Sequence, residues 1–112
     1  MVDELERWSR YFRAASNPIR LAIVLLLYAS EILRGKHSLR FTEIAQILEI
    51  PSASTSSLTH HLNQLIETGF VRKEDGEKRY PFYHIADEGR SFLEELGLTE
   101  ILRKKIESFS RV

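Results

Sequence analysis

Nine consecutive residues, Leu21 to Ala29, carry no charge and a single side-chain polar atom, the Tyr28 hydroxyl. Asn17 and Pro18 stand before this run and Gly35 after it. Asn caps a helix start well, Pro is pre-set for the first turn, and Gly is the usual breaker at the far end. The spacing therefore predicts a helix from Pro18 to about Arg34. Its middle, Ile19 and Leu21 to Leu27, is apolar nearly all round, which marks a helix at the centre of a core. Nine residues fall short of the roughly 20 needed to cross a bilayer, so the expectation is a soluble protein with other elements wrapped around this one.

The chain has 112 residues, enough for a single domain, 1–112. Domains of this size bury only about 60 to 68% of the surface their unfolded chains expose, so dimerisation is expected. A helix is predicted over Val2 to Ala15, with Leu5, Trp8, Phe12 and Ala15 spaced along one face. Leu39 to Phe41 reads as a short extended segment. Thr42 is placed to cap a third helix carrying Ile44, Ala45, Ile47 and Leu48, which Pro51 ends. The Ser/Thr patch from Ser52 to Ser57 opens a fourth helix through Leu58, Leu62, Leu65 and Ile66 to Gly69. Phe70 to Glu74 and Lys78 to Ile85 read as strands joined across Asp75-Gly76. Pro81 inside the second strand calls for an edge or a bulge. From Asp87 the chain turns helical again, with a kink expected at Gly97.

Helix, helix, short strand, helix, corner, helix, hairpin is the order of a winged helix-turn-helix. The fold class is therefore mainly α with a small antiparallel β-hairpin. The helix-turn-helix covers 42–69 and the wing 70–85. Segments 1–17 and 87–112 are terminal dimerisation helices, with Leu5, Trp8, Tyr11, Phe12, Leu98, Ile101, Leu102, Ile106 and Phe109 expected at the interface. These side chains present more apolar surface than a three-helix core with a wing needs.

On a 100° helical wheel with Leu58 at zero, Leu62, Leu65 and Ile66 cluster near about 25°. Ser56, Ser57, His60, Asn63 and Gln64 fall on the far side, with Thr59 and His61 on the flanks. From Ser52 to Ile66 there is no charged residue. A helix face made only for solubility carries Lys and Glu. This one offers hydroxyls, an imidazole and carboxamides, the groups that meet base edges and phosphates. The helix from Ser54 to Thr68 is thus expected to enter a DNA major groove, with Ser54, Thr55, Ser56, Ser57, Thr59, His60, Asn63 and Gln64 as contacts. Lys73, Lys78 and Arg79 on the wing are expected to reach phosphates or the minor groove. Arg20, Arg34, Lys36 and Arg40 are weaker phosphate candidates, since bases near helix ends also answer helix dipoles.

Ser16-Asn17-Pro18-Ile19-Arg20-Leu21 with the apolar helix after it resembles the entry helix of ArsR-like and MarR-like transcriptional regulators. His61-Leu62-Asn63-Gln64-Leu65-Ile66-Glu67-Thr68-Gly69-Phe70-Val71 is similar to their recognition-helix exit. Phe41-Thr42-Glu43-Ile44-Ala45 and Asp87-Glu88-Gly89-Arg90 also fit. The resemblance implies a cytoplasmic regulator, commonly a homodimer on a near-palindromic operator in double-stranded DNA. Ser56, Ser57, Thr59 and His60 match the groove-contact positions. The corner from Ile50 to Leu58 is longer than the usual pattern. Cysteine is absent, so thiolate sensing does not carry over.

Other chemistry finds little support. Of the four histidines, His60 and His61 are adjacent and point about 100° apart, unlike the i, i+4 pairing a helical zinc site uses. No metal site or cofactor is expected. Ser56 and His60 lie four apart, but there is no nucleophile elbow, no orienting carboxylate and no Gly-rich phosphate loop, so no catalytic residue and no enzyme is expected. Two Asn, two Gln, one Met and no Cys point to a thermophilic source. Equal numbers of acids and bases, 16 of each, and three Glu with no Lys or Arg between Phe41 and Gly69 favour a second reading. It is a winged-helix protein-interaction module without DNA.

Overall fold

The central helix starts and stops where its caps demand. In a computed structural model describing residues 1–35, 38–75 and 81–110, α2 runs Pro18–Arg34. The Asn17 side chain accepts from the Ile19 and Arg20 amides at 2.9 and 3.3 Å, and Gly35 closes the helix in the left-handed region at φ 60°. Ile23, Val24, Leu27 and Tyr28 are buried along it. Around it stand α1 (Val2–Ala15), β1 (Leu39–Arg40), α3 (Phe41–Ile47), a 3-10 turn (Ser52–Ser54) and α4 (Thr55–Thr68). Then follow β2 (Val71–Glu74), β3 (Phe82–Ile85), α5 (Asp87–Glu95) and α6 (Leu98–Ser110). No single helix among the described residues is long and apolar enough to cross a membrane.

The third helix begins two residues earlier than its sequence suggests. Arg40, the end of β1, is its N-cap, and the Glu43 carboxylate accepts from the Arg40 amide at 3.1 Å. Thr42 lies inside the helix, because the acid three residues beyond the cap answers the open amide instead. The helix also ends before Pro51. Glu49 at φ 55°, with Ile50 N–H bonded to Ala45 O at 2.9 Å and Glu49 N–H to Gln46 O at 3.1 Å, makes a Schellman closure. The extra length of the corner is taken up as the 3-10 turn.

The hairpin is part of a larger sheet. β1, β3 and β2 lie in that order, all antiparallel, with Leu39 opposite Tyr83 and Val71 opposite Ile85. β3 is therefore the central strand, not an edge. Pro81 is no obstacle, since the ladder begins at Phe82 and the missing N–H falls outside it. Phe70 precedes β2 and is fully buried. The turn residues Gly76, Lys78 and Arg79 lie outside the described residues, as do Lys36 and His37. α5 and α6 are separate helices broken at Gly97, φ 73°.

Two contacts seat α5. Arg90 donates from Nε and Nη2 to the two Glu31 carboxylate oxygens on α2 at 2.8 and 2.5 Å, and from Nη1 to Asp87 at 2.6 Å. Gly89 lies against the backbone of Phe70, where an added Cβ would fall 2.5 Å from the Phe70 carbonyl oxygen and 3.0 Å from Ile85 Cγ1. Backbone cannot swing aside as a side-chain tip can. Gly89→Ala is expected to lower stability by about 1–3 kcal/mol, read as a shift in the urea midpoint.

Candidate nucleic-acid interface

α4 sorts its residues by environment as its wheel predicts. Leu58, Leu62 and Leu65 are 1%, 1% and 0% exposed, while Thr55, Ser56, Ser57, Thr59, His60 and Asn63 are exposed. The buried leucines anchor the helix and so fix which way the polar row faces. Thr59 donates to Thr55 O at 3.1 Å and Thr55 to Ser52 O at 3.2 Å. Their hydroxyl protons are held inward, leaving oxygen lone pairs outward to accept. Ser54 and Gln64 are half-buried at the two ends. Gln64 borders a cavity of about 520 Å³ that Arg10, Arg13, Glu67 and Glu88 also line.

The wing divides its bases between two faces. Lys73, opposite Tyr83, is exposed on one side of the sheet, and Arg72, opposite His84, is exposed on the other. On that second side the Arg40 guanidinium sits 5.2 Å from the Phe82 ring centre, and His84 Nε2 lies 3.2 Å from a Glu74 oxygen. Arg40 is thus stacked on an aromatic face. Among the described residues no group of three His, Asp or Glu is arranged to hold a metal ion.

Two residues play parts that sequence periodicity does not reveal. His61, on the flank of the wheel, is only 9% exposed. Arg20, read from sequence as a phosphate candidate, turns inward. Its Nε donates to Ala14 O at 2.7 Å, its Nη2 to Arg13 O at 3.3 Å, and its Nη1 lies 3.2 Å from His61 Nδ1. One guanidinium therefore closes the C-terminus of α1 and meets α4. The signal was the proximity of Arg20 to a helix break at Ser16-Asn17, where bare carbonyls need donors. Since an arginine only donates, Nδ1 must accept, and the neutral ring carries its proton on Nε2.

The terminal aromatic residues also divide. Tyr11 is buried within the domain, its ring 4.9 Å from Phe70 and 5.9 Å from Phe92, and its hydroxyl donates to Glu88 at 3.1 Å. The structure gives it to the core, leaving little of it for a partner. Trp8 is half-buried against Phe92. Leu5, Phe12 and Ile101 remain 61%, 52% and 57% exposed. Leu98, Leu102, Ile106 and Phe109 lie on α6, with side chains outside the described set.

Burial, then the neighbouring Arg20 and His60, hold the His61 pKa below its usual 6.5. Below about pH 6.5 the unfolded chain takes up a proton that the folded chain refuses, so stability falls as pH drops through this window and is full above it. His61→Gln keeps an acceptor for Arg20 and does not titrate. Its melting temperature is expected to change less between pH 7.5 and pH 5.5 than that of the parent; equal slopes would contradict the assignment.

No protein-family model and no curated protein sequence matches the chain. Solved structures do. HlyU from Vibrio cholerae aligns over 88% of this chain and 97% of its own, at 24% identity and a TM-score of 0.70. An ArsR family transcriptional regulator, RHA00566, aligns over 96% and 94%, at 20% identity and a TM-score of 0.60. Reduced AbfR bound to DNA aligns over 98% and 84%, at 17% identity and a TM-score of 0.59. Helix order, three-stranded sheet and overall superposition agree: this chain has the winged helix-turn-helix fold of the ArsR and MarR type of transcriptional regulator.

Proposed function

We propose that the protein is a sequence-specific, double-stranded DNA-binding transcriptional regulator that acts as a homodimer in the cytoplasm, with α4 in the major groove. The outward, charge-free polar row from Thr55 to Asn63, held by buried leucines, carries this reading. Asn63 suits a bidentate pair with adenine, the Ser and Thr hydroxyls suit bases or phosphates, and Lys73 lies on the adjoining wing. The likeness to AbfR, a protein solved bound to DNA, supports a DNA partner. The neighbours named as regulators favour a binding protein over an enzyme.

Exposed Val2, Leu5 and Phe12 on α1 and Ile101 on α6 support a dimer. Surfaces so apolar are seldom left open to water. Two subunits would meet half-sites about 34–36 Å apart. Gel filtration at micromolar concentration is expected to give a dimer, and a single monomer peak would remove the two-half-site arrangement.

Asn63→Ala or His60→Ala is expected to weaken specific binding by about 1–3 kcal/mol and relax sequence preference. Lys73→Ala, and equally Lys78→Ala or Arg79→Ala, should weaken all sequences alike and lower the salt slope by about one. Retention of labelled genomic fragments at low and high salt checks both. The protein-interaction reading rests on net neutrality and the acidic residues Glu43, Glu49 and Glu67. It gains if no fragment is retained at any salt concentration.

A further inference from the structure

The cavity of about 520 Å³ lies between the second half of α1 and the last turns of α4. α1 lines it with Arg10 and Arg13, three residues apart on one helical face. α4 lines it with Gln64, Glu67 and Thr68, and the first turn of α5 adds Glu88. Both signs of charge therefore border one space. Yet among the described residues neither Arg10 nor Arg13 forms an ion pair or a side-chain hydrogen bond, and Glu67 forms none either. Glu88 is held in place. The buried Tyr11 donates to its Oε2 at 3.1 Å, and Gly69 lets the carboxylate lie against the end of α4, where a Cβ would fall 2.7 Å from that oxygen. Its Oε1 has no hydrogen bond among the described residues.

We infer that this cavity binds a polar α-amino acid in its zwitterionic form. The guanidiniums of α1 call for a carboxylate, which arginine meets as a fork. The carboxylates of α4 and α5 call for an ammonium group. Arg20 also borders the cavity, but its guanidinium is taken up by the α1 carbonyls and His61. The remaining charges are two of each sign, and the ligand that matches them has no net charge. A phosphate or a simple carboxylate would answer Arg10 and Arg13 but bring an anion close to Glu67 and Glu88. Thr68 gives its proton to Gln64 O at 2.8 Å, so its oxygen can accept, and the Gln64 carboxamide can do both. Ala14 supplies the one apolar side chain on the wall and no aromatic ring borders it, so a ligand side chain that is itself a carboxamide suits it. The size falls within the range of small-molecule pockets. Arg10, Arg13, Glu67 and Glu88 are exposed, so each contact is weak and binding depends on both ends of the ligand together. Nothing in this site requires DNA.

L-Glutamine is the probe, added to the protein free of DNA and followed by amide chemical shifts. Saturable shifts are expected at Ala14, Gln64, Thr68 and Gly69. N-acetyl-L-glutamine, which lacks the ammonium group, and L-glutaminamide, which lacks the carboxylate, should each bind about fivefold more weakly. Arg13→Gln and Glu67→Gln each remove one exposed, unpaired charge, so both variants should melt as the parent does and bind L-glutamine about fivefold more weakly. Arg13→Gln should change nothing for L-glutaminamide, which has no carboxylate to lose a partner. The site is refuted if L-glutamine gives no saturable shift at these residues, or if either variant binds it as the parent does. Equal binding of N-acetyl-L-glutamine refutes the ammonium assignment, and equal binding of L-glutaminamide refutes the carboxylate assignment. Failure of fragment retention would leave these measurements unaffected, so the two readings fall separately.

Discussion

Phe70 is the residue on which three parts of the molecule converge. Its amide donates to Leu65 O at 3.0 Å and completes the closure of α4 over Gly69, φ 89°. Its ring, fully buried, lies 4.9 Å from both Tyr11 of α1 and Phe92 of α5. Its carbonyl accepts from Ala86 at 2.9 Å, where β3 passes into α5, with Gly89 pressed against it. Aromatic pairs at such separations add to what burial alone provides. The buried leucines turn the polar side of α4 outward, and Phe70, just beyond the Gly69 cap, pins the end of the helix by ring, donor and acceptor together.

α5 is secured by different physics. Arg90 makes a two-pronged contact with Glu31, whose side chain is 17% exposed, and a third bond to Asp87. The hydrogen bond to Glu31 raises the Arg90 pKa further. Pairs of this geometry, partly withdrawn from water, gain directionality more than net energy, because desolvation offsets much of the attraction. Their effect is to fix the angle of α5 on α2. The apolar contacts beneath, from Phe92 and Leu93, supply the adhesion.

What was legible in the sequence depended on one-dimensional signals. Asn17, Pro18 and Gly35 set α2 to the residue, and the spacing of Leu58, Leu62 and Leu65 set the buried side of α4, because caps and periodicity act locally. The flanks were not legible. Whether His61 is covered depends on where the start of α2 falls, and a wheel contains no neighbours. On α1 the spacing puts Leu5, Trp8, Phe12 and Ala15 on one face, whereas the buried positions are Tyr11 and Ala14. Contact of Tyr11 with Phe70 turns the helix this way, leaving Phe12 and Leu5 exposed. β1 is two residues long, too short for any alternation to mark its pairing with β3. That pairing is also what moves the cap of α3 from Thr42 to Arg40.

Arg20 has a mechanical consequence. It bonds the last carbonyls of α1 and meets a buried ring of α4, so the two helices share one rigid strut. The outer side of α1 carries exposed Leu5 and Phe12, and α4 carries the polar row. The end of α1 and the angle of α4 are thus tied together by one planar side chain in addition to the direct packing of the two helices.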